Sequence, residues 1–147
     1  MTILHKILSS NESRIHATDA GTKMHALLQR VVIDKDIEQG DQRLIQKIKQ
    51  HPELLRFFVK TAKTEVPIAG NVQNKFVSRR IDRLLISDEL KTIDILDYKT
   101  DLCHDTYYGT YVAQLREYAR LLQQIYPDYA IKTYILWTHD FSLENII

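Results

Sequence analysis

Asp97 and Lys99 stand two residues apart at the end of the stretch "IDILDYKTD" (93–101). On an extended chain, residues at that spacing point to the same face. An acid and a lysine would therefore lie side by side where an apolar run stops. A second carboxylate, Asp82, interrupts the apolar stretch "RRIDRLL" one strand earlier. If the intervening "DELK" turns the chain into a hairpin, neighbouring strands lie about 5 Å apart and the two acids can face one another. Two half-buried carboxylates without a counter-ion repel, and burying them is costly. A divalent ion resolves the conflict, and hard oxygen ligands suit Mg²⁺ or Mn²⁺. Lys99 beside such an ion could hold or help deprotonate an attacking water and meet a phosphate oxygen. The ion would acidify the water and stabilise charge growing at phosphorus. That is the chemistry of phosphodiester cleavage. Taken alone, an acid and a lysine at this spacing also fit a surface ion pair at a strand end.

The elements that must deliver these residues can be read from periodicity. A helix is expected from near Asp19, with Thr18 or Asp19 as its cap and Met24, Leu27, Leu28 and Val31 on one stripe. Residues 1–17 read as a loose segment. A second helix is expected over Gln42–Gln50, and another from Pro52, where the missing N–H costs nothing. Three strands follow: "KTEVPI", with Pro67 favouring an edge, then "NKFVSRRIDRLLIS", then "TIDILDYKT". The last is apolar on both faces, Ile93 and Ile95 on one and Leu96 and Tyr98 on the other, as in a central strand covered on both sides. A helix from about Thr106 to Tyr126 should bury Tyr111, Leu115, Tyr118, Leu122 and Ile125 and stop at Pro127. Gly109 weakens its first turn. "AIKTYILWT" closes the chain as a strand. The order α-β-β-β-α-β describes an α/β fold, a small mixed central sheet flanked by helices.

The 147 residues suit one domain with a real core, and 44% hydrophobic and 27% charged residues are ordinary values for a soluble protein. A net charge of +1 provides no global basic field for nucleic acid, although a local basic surface remains open. Cys103 is the sole cysteine, so an internal disulfide, a cysteine-based zinc site and an iron–sulfur cluster held by this chain alone are excluded. "MTILHKILSS" is too short and polar for a signal peptide, and no run approaches membrane-span length. A cytoplasmic location without membrane partners is expected.

The ordered pattern "RIDRLL…IDILDYKTD…Y…QLREYARLL" resembles the PD-(D/E)XK nuclease superfamily, and more narrowly the C-terminal nuclease domain of AddA- and RecB-type helicase–nucleases. The matching positions are Asp82, then Asp97-Tyr98-Lys99-Thr100, then Gln114-Leu115 with Tyr118, preceded by His25 in "GTKMHALLQ". The resemblance runs from about Thr18 to Trp137 and implies a restriction-endonuclease-like core. It implies that Asp82 and Asp97 hold Mg²⁺ or Mn²⁺, with His25 as a third ligand and the Tyr98 carbonyl as a fourth. Lys99 would be the catalytic lysine. Gln114 and Tyr118, four apart on a helix and so on one face, would line the cleft. Arg80 and Arg83 would engage the DNA backbone, and Tyr107, Tyr108 or Tyr111 would stack on bases. Glu65 matches a weaker tendency toward an acid at the first strand, with an exposed strand-start carboxylate equally in play. His5, His16, His51, His104 and His139 match nothing.

Two departures stand out. Arg79 occupies a position that is often glycine, which bears on substrate geometry. No G-x-x-x-x-G-K-[ST] phosphate loop is present, so the motor joined to this domain in the resembled proteins is missing and a helicase partner in trans is expected. The implied activity is exonucleolytic cleavage of single-stranded DNA in recombination and repair. The rival readings are a catalytically idle DNA-binding or docking module and a restriction- or RNA-directed nuclease on the same fold.

Overall fold

Residues 21–146 are described by the structure, a computed structural model. The cap expected at Thr18 or Asp19, the loose segment 1–17, His5 and His16 lie outside these residues. The helix α1 covers 21–29, followed by two short antiparallel strands, β1 (Val32–Ile33) and β2 (Glu38–Gln39). Gly40 ends this hairpin with φ +112° against the Val31 backbone, a conformation and a closeness that a side chain would oppose. Helix α2 (Gln42–Lys49) starts where expected, because the Asp41 carboxylate accepts the Leu44 N–H at 3.0 Å.

Pro52 does open a helical turn, but residues Pro52–Phe57 form a 3₁₀ helix rather than an α-helix. The run "LLRFF" must bury Leu54, Phe57 and Phe58 together, and the tighter turn supplies that within six residues.

The main sheet has five strands in the order β3-β4-β5-β6-β7: β3 (Lys63–Val72), β4 (Lys75–Ser87), β5 (Thr92–Lys99), β6 (Ala130–Trp137) and β7 (Ser142–Ile146). Pro67 sits on the edge strand β3, where a missing donor is tolerated. The β3–β4 and β4–β5 pairs are antiparallel, and Arg83 lies opposite Leu96. β5 and β6 are parallel, joined through helix α3 (Tyr108–Ile125). β7, unforeseen in the sequence, adds an antiparallel edge.

β5 is central, and its alternation feeds two cores. Ile93 and Ile95 pack under α3 with Leu115, Tyr118, Leu121 and Leu122. Leu96 and Tyr98 pack on the other face with Leu28, Val31, Ile45, Phe57 and Phe58. Two members of the expected stripes are displaced: Ile125 is exposed while Leu121 is buried, and Leu27 is exposed. Gly70 lets β3 approach α3, since a Cβ there would lie 2.9 Å from Leu121 Cδ2. Among the described residues no helix is long and apolar enough to cross a membrane.

Candidate active site

The site forms at the end of β5 where the strand leaves the core. Asp97 continues the α3-facing row of Ile93 and Ile95, so it is buried, and Lys99 is the next residue in that row. The ammonium Nζ of Lys99 lies 2.8 Å from Asp97 Oδ2. It donates to Gln114 Oε1 at 3.1 Å and sits 4.2 Å from the centroid of the Tyr111 ring. Gln114 in turn donates its Nε2–H to the Tyr118 hydroxyl at 2.7 Å. Gln114 and Tyr118 are one turn apart on α3, so the helix presents both to the strand end. Burial pushes the Tyr118 phenol well above its ordinary range, and the Asp97 and Asp82 charges push the same way. The result is a continuous chain, Asp97–Lys99–Gln114–Tyr118, in which the lysine is held on three sides.

Asp82 is delivered by β4 beside Asp97, at the position next to the Arg83–Leu96 pair. Its Oδ2 accepts the Tyr98 N–H at 2.8 Å, and its Oδ1 lies 3.4 Å from His25 Nδ1. Burial first, then the Asp97 charge and a hydrogen bond shared with Asp97, raise the Asp82 carboxyl to about 9, against the smaller opposing pull of the Tyr98 N–H and Lys99. Burial beside a second carboxylate thus favours the neutral form of Asp82. His25, on α1, donates its Nε2–H to the Tyr98 carbonyl, 3.1 Å away, and its ring meets the Tyr98 ring edge-on.

Glu65 completes this side. Its carboxylate, His25 and Asp82 each offer a ligand atom within 4.8 Å of the others. The residue adopts φ +52°, a left-handed conformation inside a strand, and the regular β3–β4 register skips the position opposite Asp82. That local twist turns the Glu65 side chain into the site, and such backbone outliers concentrate where a side chain must be aimed. Strand periodicity carried no signal of it.

The donor set fits a hard divalent cation: two carboxylates, one imidazole and a nearby carbonyl oxygen, converging where burial disfavours the charged form of Asp82. Asp97 Oδ2 is buried and has no aligned hydrogen-bond donor among the described residues despite the ionic contact with Lys99. The structure adds Glu65 to the candidate ligands, while Asp97, expected as a ligand, lies against both Asp82 and Lys99.

Other expected residues fall elsewhere. Arg83 is not on the surface. It is 1% exposed and points into the core on the face opposite α3, so it cannot touch DNA as the sequence reading had it. Asp82 and Arg83 are neighbours on a strand buried on both faces, and alternation alone sends the arginine inward. Arg80 is exposed, 3.9 Å from Glu65. Arg79 pairs with Glu117 of α3 at 2.9 Å. Tyr111 is half-buried, with its hydroxyl on Asp101 at 2.5 Å and its ring face on Lys99. That face is therefore closed to a base, whereas Tyr107 is exposed.

No protein-family model matches this sequence, and no curated protein does. A solved structure does resemble it: a chain from Eubacterium rectale described as "Putative exonuclease" superposes with a TM-score of 0.59 at 13% identity, over 89% of this chain. The fold is the restriction-endonuclease-like α/β core. The matched region spans 59% of the Eubacterium protein's length.

Proposed function

We propose that this protein is a divalent-metal-dependent deoxyribonuclease. The observation that carries the reading is the placement of an acid cluster short of positive charge against a lysine held by three neighbours, at one strand end. Glu65, Asp82 and His25 would hold Mg²⁺ or Mn²⁺, with the Tyr98 carbonyl alongside. The ion would supply Lewis-acid polarisation of the phosphate and acidification of water.

The chain's own residues do the rest. Lys99, held against Asp97 at 2.8 Å, would offer an Nζ–H to a non-bridging phosphate oxygen as charge accumulates there. Gln114 fixes the direction of Nζ, and Tyr118 fixes Gln114, so little reorganisation accompanies reaction. Hydrolysis forms a P–O bond from water, breaks the ester P–O bond and leaves the water's proton on the departing alcohol.

Single-stranded DNA is the substrate this reading favours, with Arg80 meeting the backbone and the exposed Tyr107 stacking on a base. A net charge of +1 makes weak binding by the isolated domain the expectation. That fits exonucleolytic work in recombination and repair, on a strand fed by a helicase subunit. The "Putative exonuclease" description of the structural neighbour points the same way.

The test is incubation with end-labelled single- and double-stranded DNA in Mn²⁺, Mg²⁺ or EDTA. Cleavage that needs the metal and disappears in Asp82→Ala supports the reading. Metal-bound protein that binds DNA without cutting it would replace it with an idle binding module.

A further inference from the structure

Arg83 is a buried cation without a carboxylate partner among the described residues. Its Nη2 donates to the Leu28 carbonyl at 2.9 Å and approaches the Val31 carbonyl at 3.5 Å. Its Nη1 donates to the Phe57 carbonyl at 3.0 Å, and its Nε to the Tyr98 hydroxyl at 2.8 Å. The guanidinium also lies over the Phe58 ring, 4.3 Å from its centroid. Burying a charge this deeply is expensive, and four neutral acceptors plus a ring face are what make it tolerable.

Those acceptors are not scattered. Leu28 is in the last turn of α1, one turn beyond His25, and Val31 follows directly. The Leu28 carbonyl already accepts the Val31 N–H at 3.1 Å, and the guanidinium takes its second lone pair at the negative end of the helix dipole, where a cation meets favourable charge. Tyr98 is the residue whose carbonyl contacts His25 and whose N–H donates to Asp82. One side chain thus ties together the helix that brings the imidazole and the strand residue against which the imidazole rests. Strand alternation permits this: Asp82 faces the cation site while its neighbour Arg83 works behind the sheet.

Resting on the metal-dependent reading above, we propose that Arg83 is a positioning residue that fixes His25 for the cation by clamping the C-terminal end of α1 to Tyr98. It touches neither substrate nor metal. Its fork spans three segments at once, which a lysine, as a single-point donor, cannot reproduce.

The experiment is equilibrium Mn²⁺ binding, read by electron paramagnetic resonance of the free ion, for Arg83→Lys, His25→Ala and the double variant, with thermal melts of the metal-free proteins alongside. Residues that orient metal ligands are worth about 10–100-fold in affinity, so Arg83→Lys should weaken Mn²⁺ by about tenfold or more. In the His25→Ala background the same change should cost no further affinity, while its effect on the melt persists in both. Unchanged affinity in Arg83→Lys overturns the proposal, as does an equal loss with and without His25. If His25→Ala alone leaves Mn²⁺ binding intact, the cation site itself is wrong, and that failure is distinct. Should Arg83→Lys not fold, Tyr98→Phe removes one of the clamp's acceptors without a cavity. It should weaken Mn²⁺ by about threefold, in line with one lost hydrogen bond, only when His25 is present. A loss independent of His25 would overturn the proposal equally.

Discussion

The two sides of the strand end differ in how their charges are balanced. On the α3 side, Asp97, Lys99, Gln114 and Tyr118 form a chain in which the cation meets its anion and the amide has both ends engaged. On the α1 side, Glu65, Asp82 and His25 converge with only the exposed Arg80 paired to Glu65, at 3.9 Å, among the described residues, and burial favours the neutral form of Asp82. Under the proposed function, the first side is finished by the polypeptide and the second by the cation it binds. A site divided this way prepares its fixed dipoles in advance and leaves a single variable, the cation.

The sharpest way to break that contrast is Lys99→Ala. Cleavage should fall by about 10²–10³-fold, the scale of losing one group that stabilises developing charge. Mn²⁺ affinity, measured calorimetrically, should change little. A large loss of affinity would merge the two sides.

A pH series comes next. Under the proposed function, cation binding competes with protonation of Asp82, whose carboxyl is raised to about 9. Affinity should therefore climb by up to about tenfold per pH unit from pH 6 and level off near that value. Calorimetry in buffers of different ionisation enthalpy should report close to one proton released; a flat profile would mean the acids are already neutralised. Glu65→Gln should then weaken Mn²⁺ by about tenfold while Asp101→Asn, outside the cluster, should not.

The metal-free fold sharpens the comparison from the other direction. A carboxyl with a raised pKa contributes stability that is present below pH 3.8, its unfolded value, and lost progressively as pH rises toward about 9. Asp82→Asn mimics the neutral form at every pH and can still accept the Tyr98 N–H. At pH 8 without metal it should be more stable than the native protein by about 1 kcal/mol, a rise of about 2–4 °C in melting temperature. At pH 4 the difference should vanish, while the stabilisation given by added Mn²⁺ should be lost in the variant. The smallest expected effect belongs to Tyr118→Phe. It removes only the acceptor behind Gln114, for a few-fold change in cleavage and about 1 kcal/mol or less in stability.

How much of this could be read beforehand depended on whether periodicity carried the message. β5 was legible because four apolar residues on two faces announce a central strand, and that placed Asp97 and Lys99 together at its end. Asp82 followed from hairpin pairing. Glu65 was weighed evenly against an exposed carboxylate, because its role depends on one left-handed backbone conformation that no pattern of polar and apolar residues encodes. Arg83 was misread as a surface cation, although the signal existed: on a strand apolar on both sides, the neighbour of an inward acid must enter the opposite core. β7, with the pattern "SLENI", alternates too briefly to stand out from a loop. The 3₁₀ turn at Pro52 and the displaced Ile125 and Leu27 show tertiary packing overriding local spacing.

Gly70 has a consequence for anyone wishing to reshape the molecule. The edge strand that contributes Glu65 and the helix that contributes Gln114 touch where this residue lacks a side chain. A single methyl inserted there would meet the Leu121 Cδ2 terminus at 2.9 Å and the Gln124 amide oxygen at 3.3 Å, two side-chain ends that can turn aside, so strand and helix would keep their spacing while the helix face repacks. The fit of that edge strand on the helix is thus tuned by one missing carbon, outside the cluster of candidate site residues.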